Sequence, residues 1–334
     1  MCIRDSYATL AAAFTDINNG VLTGSVQLNV IDNTTEPAAG AILNASGVGS
    51  ASYTAVLIQP LGGAWTISGA ATAGLPLIDL NGADNVTIDG LNTGGNSLTI
   101  ANTTVSATSG TSTIRFQTDA SSNTLTNLSV LGSATMAAGT NGGNIWFGSA
   151  AITTGNDNNV VSNSNIGPTG ANLPTKGIYF SGTSNTDPGT ANSGILINNN
   201  NIYDYFSATV SSAGIDLNSG STNLSITNNR FYQTASRTMT TTSLTHSGIR
   251  ISNTSGNNYQ ITGNTIGFAN SAGTGTYTLV FPASTSGGFI PINLSVGTTV
   301  ATSVQGNTIA GIACLLYTSP SPRDRTRYRM PSSA

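Results

Sequence analysis

The stretches KGIYFS (176–181), AGIDLN (213–218) and SGIRIS (247–252) decide the fold. In each, an isoleucine is followed two residues later by a second large apolar side chain, the period of a strand that buries one face. The unit recurs seven times, starting at Ile78, Ile114, Ile145, Ile178, Ile215, Ile249 and Ile290. Its partners are Leu80, Phe116, Phe147, Phe180, Leu217, Ile251 and Ile292. Steps of 36, 31, 33, 37, 34 and 41 residues mark a repeat architecture.

A second strand type follows the first. VVSNSNI (ending at Ile166), ILINNNNI (Ile202), LSITNNRF (Phe231), YQITGNTI (Ile266) and TSVQGNTI (Ile309) each hold an apolar residue, a polar turn and another apolar residue. One solenoid coil of two or three strands accounts for that length. Asn200, Asn229, Asn264 and Asn307 recur in register and are expected to stack as an amide ladder from coil to coil. Asparagine also tolerates the left-handed backbone of a tight turn. Before the repeats, Leu10, Ala13, Phe14 and Ile17 predict an amphipathic helix within 7–19, ended by Gly20 and suited to covering the first coil. Short strands are expected at 26–31, 55–58, 65–67 and 77–80.

PLIDLNGADNVTIDGL, residues 76–91, resembles the opening coil of the pectin-lyase-like superfamily. The resemblance covers roughly 7–312. It implies an all-β chain, a right-handed parallel β-helix of about seven coils with a short N-terminal capping helix. The expected organisation is a cap and first strands over 7–75 and coils over 76–312. Residues 1–6 and 313–334 are set aside, because Met1–Ser6 and CLLYTSPSPRDRTRYRMPSSA resemble translated sequencing-adapter DNA. The chain is also similar to long strand-repeat proteins that bacteria export to the cell surface.

With both ends set aside, five cations (Arg115, Lys176, Arg230, Arg237, Arg250) face 11 acids, a net charge of −6. So cation-poor a body does not suit a nucleic acid backbone. Cys2 and Cys314 both fall in the ends, so no disulfide is expected. No apolar run of about 18 residues predicts a membrane span. Abundant Asn, Thr, Ser and Gly with little Lys or Glu point to a secreted or cell-surface location.

Chemistry is sought on the alternate face. The residues between the two inward positions are Asp79, Arg115, Trp146, Tyr179, Asp216, Arg250 and Pro291, expected as an outward stripe at a spacing of about 4.8 Å. One reading is a ligand-binding stripe for a polysaccharide or cell-surface glycan, with Trp146 and Tyr179 under a sugar ring and the flanking charges on hydroxyls or carboxylates. The other is ordinary cross-strand pairing, each pair contributing roughly 0.2–1 kcal/mol. Tyr203 and Tyr232 form a second aromatic pair. No catalytic residue is assigned. The Gly-His-Gly and Arg-x-Lys motifs of polygalacturonase-like proteins are missing, His246 reads as a polar turn residue, and Asp79, Asp84 and Asp89 do not converge. Asp79 and Asp216 stand four coils apart, roughly 19 Å, too far for paired carboxylates. No zinc or calcium pattern and no phosphate-binding loop is present, so no metal or cofactor is expected.

The expected function is a non-catalytic structural or adhesive module, with a polysaccharide lyase or glycoside hydrolase of the same fold as the alternative. A truncated last coil around 290–309 would leave an open edge and favour end-to-end self-association.

Overall fold

The computed structural model describes residues 6–148, 154–182, 189–282 and 287–316. Each turn of chain contributes one short strand to each of three sheets, and every pairing between turns is parallel. Sheet A orders nine strands: Gly24–Val30, Tyr53–Pro60, Val86–Asp89, Thr124–Thr126, Val160–Ser162, Leu196–Asn198, Ser225–Thr227, Gln260–Thr262 and Ser303–Gln305. Sheet B, also of nine, runs from Thr34–Thr35 to Thr308–Ala310. Sheet C holds the Ile-x-apolar strands, from Ala41–Asn44 through Pro76–Asn81, Ser112–Gln117, Gly143–Phe147, Lys176–Ser181, Ser212–Ser219 and Thr245–Asn253 to Gly288–Val296. The strand order A, B, C repeats along the chain, and parallel crossovers take the right-handed sense. The protein is a right-handed parallel β-helix.

The register confirms the repeat and corrects it at both ends. Ile78, Ile114, Ile145, Ile178, Ile215 and Ile249 are successive Cα partners, as are Leu80, Phe116, Phe147, Phe180, Leu217 and Ile251. The three phenylalanines stack in the core at 4.5 and 4.6 Å between centroids. Sheet C has eight strands, because Ala41 and Leu43 pair with Ile78 and Leu80; alanine in the isoleucine column concealed this copy. At the other end, Ile249 and Ile251 meet Ile292 and Leu294, whereas Ile290 is exposed. Apolar residues at 290, 292 and 294 satisfy either register, so Asn293 rather than Pro291 follows Arg250 in the outward row.

Glycine before the isoleucine at 177, 214 and 248 has a steric cause. A Cβ at Gly214 would lie 2.5 Å from the Phe231 ring and 2.8 Å from the Gly248 carbonyl oxygen. Strands 24–30, 34–35 and 41–44 already pair within the three sheets, so the β-helix begins before the boundary expected at 76. Ile312–Leu316 pairs with Tyr277–Phe281, and that strand with Arg237–Thr238, in a small fourth sheet that runs past 313. Residues 1–5 and 317–334, the bulk of the two ends set aside above, lie outside the described residues.

The helix, Leu10–Asn18, buries Leu10, Ala13, Phe14 and Ile17 against the first coil. Thr9 caps it by accepting from the Ala12 amide at 3.1 Å. Buried Glu36 accepts from the Leu10 and Ala11 amides at 2.9 and 2.8 Å, placing a carboxylate at the positive end of the helix dipole. Asn18 accepts from the Asn44 amide and donates to the Ile42 carbonyl, satisfying part of the edge of strand 41–44.

From strand Val160–Ser162 onward the chain turns between sheets A and B in two residues, and the ladder forms as expected. Asn229 Oδ1 accepts from the Asn200 amide and side chain at 3.0 and 2.9 Å, and its Nδ2 donates to Ile197 O and Asn264 Oδ1. Asn264 hands the ladder on to Asn307. The left-handed backbone falls one residue earlier, at Asn199, Asn228, Gly263 and Gly306. Two further amide runs, Asn123 to Asn159 and Asn156 to Asn192, line the turns leading into sheet A. Asn229→Leu keeps the branched outline of the side chain but strands the Asn200 amide and the Ile197 carbonyl. Roughly 1–3 kcal/mol should be lost for each, read as a lower midpoint in urea unfolding.

Candidate functional site

The outward row of sheet C is built in register: Asp79, Arg115, Trp146, Tyr179, Asp216, Arg250 and then Asn293 are successive partners. Arg115 holds Asp79 with two parallel bonds, Nε to Oδ1 at 2.9 Å and Nη2 to Oδ2 at 2.6 Å. Gln117 adds a bond to each of Asp79 and Asn81. The Arg115 guanidinium lies 5.4 Å from the Trp146 ring centre. Trp146 Nε1 donates to Ser181 Oγ at 2.9 Å. Arg250 Nε meets Asp216 Oδ1 at 2.7 Å. Each acid of the row thus has its cation on the adjoining coil.

The row points away from the core but is not open to solvent. Tyr179 is 0 % exposed and Trp146 7 %, and Asp79 and Asp216 are buried as well. Lys176 explains the middle of the row. Its ammonium lies 4.0 Å from the Tyr179 ring centre and donates to the carbonyls of Ala137 and Thr140. The sheet B to sheet C connection at 135–142 is thereby tied across the row, and a Cβ at Gly139 would come within 4.0 Å of Asn218. The ring platform expected for a sugar is therefore corrected, since neither ring offers a free face. Arg115 and Arg250 reach the surface only in part, with side chains 16 % and 21 % exposed. Burial pushes the Lys176 ammonium down to about 8 despite Asp216 nearby, and pushes the Tyr179 hydroxyl up. The Tyr179 hydroxyl and Arg250 Nη2 are buried without a hydrogen-bond partner.

His246 is not a turn residue. It lies in strand Thr245–Asn253, fully buried beneath the fourth sheet, with Phe206, Tyr205, Tyr277 and Phe289 around its ring. Nδ1 shares a hydrogen bond with Ser212 Oγ at 2.7 Å, and Nε2 one with the Tyr277 hydroxyl. Beside it Asp204 accepts from Thr234 and from Arg237, whose Nε in turn donates to Gln233. Nothing in sequence spacing unites these groups; the long connections carrying Arg237 and Tyr277 do so. Tyr203 and Tyr232 stack on the outer side of sheet B at 5.4 Å, each occupying a face of the other's ring. Asp84 and Asp157 are raised chiefly by burial, with Asp119 adding to each. Among the described residues no group of three or more His, Cys, Asp or Glu could hold a metal ion. No helix there is long and apolar enough to cross a membrane.

No family model and no curated protein sequence matches the chain. Solved structures give distant likenesses. An alginate lyase from Paenibacillus sp. aligns at 14% identity and a TM-score of 0.42, over 88% of this chain and 98% of its own. The adhesin PfbA of Streptococcus pneumoniae aligns at 11% and 0.39, over 92% and 87%. The A-module of the mannuronan C-5 epimerase AlgE6 of Azotobacter vinelandii aligns at 12% and 0.35, over 91% and 94%. At such identities a solenoid is matched to solenoids, and the chemistry of this chain rests on its own residues.

Burial, with Arg237 adding to it, lowers His246 to about 3 from 6.5. Between those values the unfolded chain binds a proton that the folded chain does not, so stability rises with pH across the window. The contribution is complete above about 6.5 and is lost as pH falls toward 3. The melting temperature should therefore fall steadily from pH 7 to 4, and His246→Gln should flatten that slope even if it lowers the melting temperature at pH 7.

Proposed function

We propose that this β-helix is a non-catalytic structural and adhesive module of a secreted or cell-surface bacterial protein that contacts glycans. The observation that carries this reading is the pairing along the outer row of sheet C: Asp79 with Arg115 and Asp216 with Arg250, with the rings between them covered. A glycoside hydrolase needs two carboxylates opposed across a substrate. Here the acids are separated along the row and each is engaged by its neighbour, so the charges join one coil to the next. The cation-poor composition and the uninterrupted three-sheet stack suit a stiff spacer that displays surfaces.

One observation favours the alternative, a polysaccharide lyase. Lys176, lowered to about 8, packs on Tyr179 beside Asp216 and Arg250, a set that could move a proton if the 135–142 connection lifted away. Incubation with alginate, polygalacturonate and neutral glucans separates the two readings. No unsaturated or reducing ends should accumulate, and turnover abolished by Lys176→Met or Tyr179→Phe would replace the adhesive reading with the lyase.

Among the described residues no strand stacks beyond Ser303–Gln305 and Thr308–Ala310, and we propose that this face takes up a second copy of the chain. Val304 and Ile309 occupy the inward columns of sheets A and B yet are exposed, and residues 288–316 carry no charged side chain. Open, uncharged strand edges pair with other chains. Sedimentation velocity should show association that grows with concentration and is reduced by Val304→Lys with Ile309→Lys.

A further inference from the structure

The outer faces of the three-sheet stack are not equivalent, and the row of sheet C that carries the conspicuous residues is more covered than the face of sheet A. In sheet A, six consecutive strands from Val86–Asp89 to Gln260–Thr262 are in register, each with a buried apolar residue between two half-buried outward ones. No outward position in these strands is buried, in contrast to the roofed row of sheet C. Six strands at about 4.8 Å make a flat strip roughly 24 Å long.

The strip has a definite chemistry. One outward column reads Thr126, Ser162, Asn198, Thr227 and Thr262; the other includes the aliphatic Val160 and Leu196. Asp89 is its one charged residue. Ser162 Oγ donates to Thr126 Oγ1 at 3.0 Å and Thr227 Oγ1 to Asn198 Oδ1 at 2.8 Å, so neighbouring coils hold these groups in fixed directions. Each hydroxyl and amide keeps further capacity to donate or accept.

We infer that this face of sheet A is a docking surface for an extended, neutral polysaccharide. A strip without cations offers nothing to a uronate or phosphate polymer. It also lacks the aromatic, Met or Arg anchors that concentrate binding energy at protein interfaces. A neutral sugar chain presents what it does offer partners to: hydroxyls that donate and accept, alternating with C–H surfaces that fit beside Val160 and Leu196. Each contact is weak, and the strip repeats them along its whole length, so binding comes from many contacts made at once. The occupant is a polymer or its packed surface; a short oligosaccharide engages too few positions. This inference rests on the adhesive reading only in taking a glycan as partner. It places the contact on sheet A instead of the Trp146 and Tyr179 row.

The test is co-sedimentation of the full chain with insoluble cellulose and chitin, against calcium alginate gel. Cellulose or chitin should deplete the protein, with retention unchanged by added salt and little relieved by soluble cello- or chito-oligosaccharides. Thr126→Glu with Thr227→Glu, both outward, should lower retention at least roughly tenfold with an unaltered circular dichroism spectrum. If that pair unfolds, Thr126→Val with Thr227→Val serves, removing hydroxyls without adding charge, and should also weaken retention. Failure of cellulose and chitin to retain the wild type, retention indifferent to folded row variants, or salt-sensitive binding to alginate alone would overturn the proposal. Polysaccharide turnover dependent on Lys176 would instead overturn the non-catalytic reading and leave the sheet A result standing.

Discussion

Everything in this molecule depends on one residue in each strand meeting its equivalent one coil later. A parallel strand of three residues makes few hydrogen bonds and would not persist alone. Stacked between two neighbours, it has its backbone groups satisfied on both edges and its apolar side chain set in a column of similar ones. The constraint is therefore positional identity. Isoleucine must lie over isoleucine, as in sheet C, and the turn must close in the same number of residues, as between sheets A and B. The amide ladders serve that constraint by satisfying turn groups that neither sheet can reach.

Because identity is what stacking demands, the fold was legible in the residues that stack. Seven of the eight strands of sheet C announce themselves by Ile-x-apolar spacing; the eighth is hidden by an alanine at 41. At 290–294 the alternation continues for one residue pair too many, and periodicity alone has no means of choosing the register. The ladder of Asn200, Asn229, Asn264 and Asn307 was legible for the same reason. Asn123 and Asn156 meet Asn159 and Asn192 at the same 36-residue step, but each run holds only two asparagines, too few to stand out as a column.

The site was less legible, for a physical reason. Alternation states which side of a sheet a residue leaves from and is silent on what lies over that side. Trp146 and Tyr179 do leave sheet C outward, but both are buried, Tyr179 under the Lys176 side chain that the 135–142 connection holds, and Trp146 beside the Arg115 guanidinium. His246 is enclosed by a fourth sheet contributed from connections far apart in sequence. Long irregular connections carry no column to read. The outward positions of sheet A from 86 to 262 stay half-exposed, and nothing in the sequence marks them, because hydroxyls and amides are unremarkable singly.

The near-constant interval between stacked partners also bears on how such a chain finds its structure. Ile178 to Ile215 spans 37 residues and Ile215 to Ile249 spans 34, and a further coil would add contacts of the same separation. The loop entropy spent on each coil thus does not grow as the solenoid lengthens. Each finished coil offers a template to either neighbour, so folding can start in any coil and spread. The length of the rod is then a matter of how many coils are encoded rather than of how difficult they are to fold.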